Sequence, residues 1–224
     1  MVIGNGMIAR RFADYDPKKD VVVFASGVSS SIDIDEQNYL REKLLLTHTL
    51  ETCPNSKFIY FSSVMSTSGL SNRYLQHKKD MEIHIESMAN NYLIFRLPQI
   101  VGSGGNKKNI VNYFDACIKN GTPLCIQNNT YRALLDIDDM FQIIHYCVDK
   151  IDRSILNVSY IEKMLVSDIV QIISDIRNKP ANIKLIPEGA SIFTRNSLLI
   201  EEAIKFYNID PNRYTYKVLH KYLA

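Results

Sequence analysis

A serine, a tyrosine and a lysine in the stretch Lys57–Lys78, KFIYFSSVMSTSGLSNRYLQHK, are the residues of this chain best suited to moving a proton. Tyr74 and Lys78 lie four apart, so on a helix they share one face, one turn from each other. An ammonium beside a phenol favours the phenolate and draws the tyrosine pKa down from its usual value of about 10. A hydroxyl from Ser63 at the same place would hydrogen-bond the same substrate oxygen. Ser63, Tyr74 and Lys78 together therefore make a candidate proton-transfer site for a carbonyl or an alcohol. The spacing alone is weak, because Tyr15/Lys19, Tyr39/Lys43 and Tyr146/Lys150 repeat it. Such pairs are commonly neighbours on a solvated helix face. Tyr74/Lys78 stands apart because only this pair follows a strand that ends in Ser-Ser.

That strand is the apolar, aromatic run Phe58–Phe61, of the kind that fills a buried parallel sheet. The residues after it predict a helix over Tyr74–Met88, with Met81, Ile83, Ile85 and Met88 at its apolar positions. Upstream, Gly4-Asn5-Gly6-Met7-Ile8-Ala9 joins a very short apolar start, Met1–Ile3, to a helical segment at Ile8–Ala13. Glycines in such a turn let backbone amides approach a pyrophosphate. The dinucleotide pattern then expects a second strand ending in an acid about 20 residues on. It is missing here: Asp14, Asp16 and Asp20 lie in a polar loop, and the strand Val21–Phe24 follows at once. That strand ends in the small residues Ala25, Ser26 and Gly27. A helix over Glu36–Thr52 is expected to bury Leu40, Leu44, Leu45 and Leu50, with Pro54 beyond its end.

Further on, a buried strand at Tyr92–Leu97 leads into Pro98-Gln99-Ile100-Val101-Gly102, and Ser103–Asn109 reads as a glycine-rich loop. A helix follows at Ile110–Lys119. Short strands are expected at Leu124–Ile126 and Ala133–Leu135, and Asp138 as the N-cap of a helix at Met140–Val148. A sheet strand at Ile155–Val158 and a helix at Val166–Ile176, capped by Ser167 or Asp168, come next. A strand at Ile183–Ile186, a helix at Ser197–Tyr207 and an aromatic, basic end complete the chain. Strands alternating with helices predict a parallel α/β sheet.

A length of 224 residues fits one large domain, or one domain with a smaller lobe. The formal net charge of +2, with its basic residues dispersed, argues against a nucleic-acid surface. Cys53, Cys117, Cys125 and Cys147 show no CxxC spacing and read as reduced thiols of a cytoplasmic protein. The five histidines form no HExxH, so no metal site is expected. No apolar run approaches the roughly 20 residues that span a membrane, and the N-terminus lacks the order of a secretory signal.

As a set, the residues resemble the extended short-chain dehydrogenase/reductase family, the sugar-nucleotide epimerase/dehydratase/reductase group, in an unusually short form. The matching features run in family order: Gly4 to Ala9, Val21 to Ala25, Phe61-Ser62-Ser63, Tyr74-x-x-x-Lys78, Arg96 to Gly102, and Arg132 separated by six residues from Asp139. The resemblance implies a Rossmann-like parallel sheet lacking its second and third strands, with a small C-terminal substrate lobe. The core would comprise residues 1–101 and 133–159, the lobe residues 102–132 and 160–224. NAD or NADP would lie against Gly4, Gly6, Met7, Ile8, Ala25, Ser26, Lys78 and Leu97. Tyr74 would be the acid/base, Lys78 would lower its pKa and bond the nicotinamide ribose, and Ser63 would position the substrate oxygen. Gln99 would touch the sugar and Arg132 the nucleotide diphosphate, although by residue type alone they also read as a turn residue and a surface ion pair. A homodimer through the helices Glu36–Thr52 and Tyr74–Met88 is implied as well.

Departures from the family pattern narrow the chemistry. Val64-Met65 stands where family dehydratases carry an Asp-Glu pair after the catalytic hydroxyl. Met65 also occupies the place of the cysteine used by members that epimerise through an enolate. Hydride chemistry remains, either a ketoreductase or a 4-epimerase. The shortened adenosine side favours the reductase, which releases its cofactor at each turnover. Arg10 and Arg11 are candidates for a 2′-phosphate or plain solvated residues. The contrasting expectation is a non-catalytic Rossmann domain that keeps the fold as a binding scaffold.

Overall fold

A computed structural model of the chain describes residues 1–18, 20–28, 35–69, 72–107, 109–187 and 194–224. Lys19 of the Tyr15/Lys19 pair and Lys108 of the glycine-rich loop lie outside the described residues. The first half alternates strands and helices: β1 (Val2–Ile3), α1 (Met7–Arg11), β2 (Val21–Phe24), α2 (Glu36–Thr52), β3 (Lys57–Ser63), α3 (Arg73–Met88) and β4 (Asn91–Leu97). The second half adds β5 (Gln99–Val101), α4 (Ile110–Asn120), β6 (Leu124–Gln127), β7 (Tyr131–Arg132), β8 (Leu134–Asp136) and α5 (Ile137–Val148). It ends with β9 (Ser154–Asn157), β10 (Met164–Leu165), α6 (Val166–Arg177), β11 (Ile183–Ile186), α7 (Leu198–Phe206) and α8 (Tyr214–Leu223).

Among the described residues, β1, β2, β3, β4 and β9 form one parallel sheet in that order. Side chains along a strand alternate faces, and the strands divide accordingly. Val22, Phe24, Phe58, Tyr60, Tyr92 and Ile94 pack against Leu46 and Leu50 of α2 and Met81 and Ile85 of α3. Val21, Val23, Ile59, Phe61, Leu93 and Phe95 face the opposite core, shared with Ile143 and Ile144 of α5. Helices on both faces make this a doubly wound α/β fold of Rossmann type, shortened at the β1 side. Short pairs β5–β8, β7–β10 and β6–β11 lie beyond it.

Several expectations shift once the packing is visible. Leu40 and Leu44 of α2 are 48% and 62% exposed, and Ile83 of α3 is 63% exposed. The buried stripe of α2 is instead Tyr39, Glu42, Leu46, Thr49 and Leu50. Helix α1 is only five residues long and passes into a 3-10 turn at Ala13–Tyr15. The cap of α5 is Asp136, whose carboxylate accepts from Asp138 N at 2.7 Å, so Asp138 is inside the helix. Leu165 precedes α6 with no side-chain cap, so neither Ser167 nor Asp168 serves there. The aromatic, basic end forms α8, which buries Tyr214, Val218, Leu219 and Leu223.

β1 sits at the sheet edge. Val23 N and Ala25 N of the β2 side donate to Met1 O and Ile3 O. The outward Val2 N donates to Asp16 Oδ1 at 3.1 Å, so a side chain occupies a donor that a further strand would take. Gly4 follows with φ +124°, and a Cβ there would lie 2.5 Å from Ala25 O. Both its conformation and the closeness of β2 demand glycine. Gly4→Ala is expected to cost about 2–4 kcal/mol of stability, from backbone strain plus the forced separation of β1 and β2. Urea denaturation measures it; a loss below about 0.5 kcal/mol would contradict this close approach.

Candidate active site

The carboxyl end of β3 carries two consecutive hydroxyls, and the alternation of the strand sends them to different partners. Ser62 Oγ donates to Glu82 Oε1 at 2.5 Å, and Ser66 Oγ to the same oxygen at 3.3 Å. Arg96 of β4 closes on that carboxylate with Nε at 3.0 Å from Oε1 and Nη2 at 2.5 Å from Oε2. Glu82 is buried, so this paired geometry answers the cost of its desolvation. Ser63 is different. Among the described residues its Oγ only accepts, from Met65 N at 3.2 Å, capping the 3-10 turn Val64–Thr67. A hydroxyl has one donor and two acceptor sites, so the Ser63 O–H keeps its donor for another oxygen.

α3 starts where Asn72 caps it, its side chain accepting from Leu75 N at 2.8 Å. Tyr74 thereby falls in the first turn, partly buried, and its hydroxyl has no hydrogen bond among the described residues. One turn on, Lys78 is buried with its Nζ 5.9 Å from the centre of the Tyr74 ring. That ammonium is turned inward: it donates to Tyr60 OH at 2.9 Å, to Glu42 Oε1 at 3.1 Å and to Phe61 O at 3.5 Å. Three acceptors account for its three N–H groups.

Glu42, with no exposed surface, is the hub of this cluster. Oε1 accepts from Tyr60 OH at 2.7 Å as well as from Lys78, while Oε2 accepts from Val28 N at 2.6 Å and from His77 Nε2 at 2.9 Å. Burial pushes the carboxyl up, but Lys78, His77, Val28 N and Tyr60 outweigh it and hold Glu42 well below the usual carboxylate range. Tyr60 moves the other way, raised well above an ordinary tyrosine by burial and by Glu42.

The expected depression of Tyr74 does not appear. Burial raises its pKa, Lys78 lowers it, and Glu42 raises it again, leaving it above the ordinary value. Lys78 acts in the expected direction, but a carboxylate 3.1 Å from it cancels most of its field. Glu42, Glu82, Tyr60 and His77 were all missed by the sequence reading. The signal for Glu42 was its spacing, three after Tyr39 and four before Leu46 on one helix face.

The glycine turn lies at the carboxyl end of β1. A Cβ on Gly6 would meet nothing within 4 Å, whereas Gly4 is pressed on Ala25. Met7 and Ile8 open α1; Met7 Sδ lies 3.0 Å and 3.2 Å from where Cβ atoms on Gly102 and Gly105 would stand. Arg10 bridges the turn to the glycine-rich loop, Nη1 donating to Asn5 O at 2.8 Å and Nη2 to Gly104 O at 3.2 Å. Arg11 pairs with Asp138 at 2.6 Å and lies over the Phe141 ring. Neither arginine is a plain solvated residue. Ser26 is held by Arg41 of α2, through its Oγ at 3.1 Å and its carbonyl at 3.0 Å.

The open face of the turn at Gly6 fits a dinucleotide. The ribose contact expected of Lys78 does not fit this arrangement, because all three of its donors are spent inside the protein. Leu97 is buried in the core beneath the site. Gln99 donates its backbone N–H to Ala133 O at 3.3 Å, and its side chain has no hydrogen bond among the described residues. Arg132, in β7, donates to Tyr131 O at 2.8 Å and to Gln127 Oε1 at 3.4 Å, and burial lowers its pKa. Among the described residues no helix is long and apolar enough to cross a membrane.

No protein-family profile and no curated protein sequence matches the chain. Solved structures do match its fold. RMD from Pseudomonas aeruginosa complexed with NADPH is 14% identical, with a TM-score of 0.74, over 98% of this chain and 97% of that one. The epimerase Mth375 from Methanothermobacter thermautotrophicus is 16% identical, with a TM-score of 0.73, over 98% of this chain and 76% of that one. UDP-glucuronic acid 4-epimerase from Bacillus cereus, in complex with UDP-glucuronic acid and NAD, is 18% identical, with a TM-score of 0.71, over 96% and 76%. The Rossmann-like fold of these structures is therefore the fold of this chain.

Truncating Glu42 to alanine strands the buried Lys78 ammonium and is expected to cost about 3–5 kcal/mol; adding Lys78→Met should return part of that loss. The Glu42 carboxyl is held below its unfolded value of about 4.3, so its contribution is whole above that pH and drains away as pH falls through the folded value. Urea titrations at neutral pH and at about pH 3 should show the gap between wild type and Glu42→Ala narrowing in acid. A gap that widens there would refute the pairing.

Proposed function

We propose that this protein is an NAD(P)-dependent ketoreductase acting on a keto group of a nucleotide-linked sugar. One observation carries the reading: at the carboxyl end of β3, Ser63 and Tyr74 each keep a hydroxyl donor free of any acceptor among the described residues, while the neighbouring polar groups are saturated. A scaffold gains nothing from leaving those two groups unspent. The match to RMD, whose structure is a complex with NADPH, supports a reduced nicotinamide cofactor in this reading.

Gly4, Gly6, Met7, Ile8, Ala25, Ser26 and Leu97 would hold the cofactor, with Lys78 behind its nicotinamide end. The bound nicotinamide supplies the hydride for the carbonyl carbon. Ser63 donates a hydrogen bond to the carbonyl oxygen and fixes its position. Tyr74 gives that oxygen its proton as charge develops on it, and water returns a proton to the phenolate. Gln99 would orient the sugar. Arg132 would meet the diphosphate, a task its planar fork suits. Residues 1–101 and 133–159 form the cofactor core in this reading, and residues 102–132 and 160–224 the substrate lobe.

A second reading, the non-catalytic scaffold, is favoured by the engagement of all three Lys78 donors. Nicotinamide fluorescence separates the two. Micromolar binding of NADH or NADPH is expected, and no binding at millimolar concentration would favour the scaffold. Tyr74→Phe should lower kcat on a keto-sugar nucleotide by about 100-fold or more with Tm unchanged, since the hydroxyl has no partner among the described residues; unchanged turnover would remove Tyr74 from the mechanism. The exposed Leu40, Leu44 and Ile83 of α2 and α3 support a homodimer through these helices. Sedimentation should show Leu44→Glu/Ile83→Glu as a monomer; the same mass as wild type would reject this interface.

A further inference from the structure

The Lys78–Glu42 pair lies in the carboxyl-end region of the candidate site and is closed on every side the structure describes. Glu42 comes from α2, Tyr60 from β3, and His77 and Lys78 from α3; Tyr39 of α2 packs its ring 4.8 Å from that of His77. The segment after β2 roofs the pair. Val28 N donates into the carboxylate, and a Cβ on Gly27 would stand 2.8 Å from Lys78 Nζ and 2.9 Å from Glu42 Oε1. Lys78 is thus held beneath the Gly27–Val28 backbone, its ammonium 3.1 Å from the Glu42 carboxylate.

A lone ammonium 5.9 Å from the Tyr74 ring would act on it as a monopole. With a carboxylate 3.1 Å from the ammonium, the phenol feels a dipole, whose field falls off faster with distance. The nearby pair Glu82–Arg96 is likewise self-neutralised. The charges facing Tyr74 thus leave it to its burial, which favours the uncharged phenol.

We propose that Glu42 is a positioning residue: by locking and neutralising Lys78, it keeps Tyr74 a phenol and sets the site to give a proton to a carbonyl oxygen rather than to take one from an alcohol. The inference rests on the ketoreductase reading for its chemistry, but not for its test. In the reducing direction the carbonyl carbon gains the hydride of the reduced nicotinamide, the oxygen takes the Tyr74 proton, and water restores the phenol. In the oxidising direction the phenolate must already exist to remove the alcohol proton, and Glu42 opposes that.

The experiment is a phenolate absorbance titration of the intact protein, with the same titration of its Tyr74→Phe counterpart subtracted to isolate one of the 13 tyrosines. The wild-type midpoint should lie above the ordinary value of about 10. Glu42→Gln should lower it by about one pH unit or more, and Lys78→Met should raise it. Glu42→Gln/Lys78→Met, with both charges gone, should fall within about half a unit of wild type. A Glu42→Gln midpoint that stays put or rises overturns the proposal. Should that variant not fold, a double variant displaced from wild type by about one unit or more overturns it instead. No turnover is needed, so a failed keto-sugar assay with the predicted shifts would refute the ketoreductase reading alone. Turnover with unmoved midpoints would refute the role of Glu42 alone.

Discussion

A carboxylate with no exposed surface has to find all its partners within the fold, and Glu42 finds four. Desolvating such an ion costs several kcal/mol, and the cost is answered only when geometry satisfies its lone pairs. Its donors come from the segment after β2, from β3 and from α3. One charge thus pins three elements at the end of the sheet where the candidate site lies. Glu82 does the same one turn further along α3, drawing in Ser62, Ser66 and Arg96. Between them these two carboxylates fix the end of β3 and the start of α3. Ser63 and Tyr74 can then stand with their hydroxyls unspent and still hold one position.

The edge of the sheet poses the complementary problem. A Rossmann sheet stopped at β1 exposes backbone donors and acceptors that a further strand would cover, and open edges invite pairing with other chains. Here Asp16 sits on the outward Val2 N–H, and Arg10 bridges the turn beyond β1 to the glycine-rich loop. The same shortening removes the strand that would end in the ribose acid. Adenosine contacts would then have to come from elsewhere, which suits an enzyme that exchanges its cofactor better than one that retains it.

The sheet was legible in the sequence because its strands are continuous apolar runs flanked by small or turn-forming residues. Val21–Phe24 and Phe58–Phe61 satisfy both faces at once, and no other element type fits so short a run. The helices were legible in extent but less so in orientation. On α2 the leucines at 40 and 44 suggested the buried side, yet the core takes Tyr39, Leu46 and Leu50, with Glu42 among them. Hydropathy counts a carboxylate as solvent-facing, so a charge on the buried stripe rotates the apparent face. α8 was obscured in the same way, since lysines and tyrosines that reach outward dilute the apolar signal of Val218, Leu219 and Leu223. Of the site, Ser63, Tyr74 and Lys78 were legible from type and spacing. The groups that govern them were not, because Glu42 and Tyr60 meet Lys78 only across the fold.

Stability and chemistry make different demands on this region, and the difference bears on what it is for. A fold selected only to bind or to hold a shape would do as well with apolar side chains at 42, 60 and 78, since buried ion pairs are often replaced without loss of stability. It would also have no use for a half-buried phenol with no hydrogen bond among the described residues, or for a serine hydroxyl that donates to none of them. Saturating the carboxylates Glu42 and Glu82 is costly in sequence, because each needs several donors from separate elements. In the ketoreductase reading, the Ser63 and Tyr74 hydroxyls would serve a group that is not part of the chain. A bound carbonyl oxygen would supply an acceptor to a hydroxyl that has none among the described residues, and, as it gathers charge on reduction, it would accept most strongly at the moment of reaction.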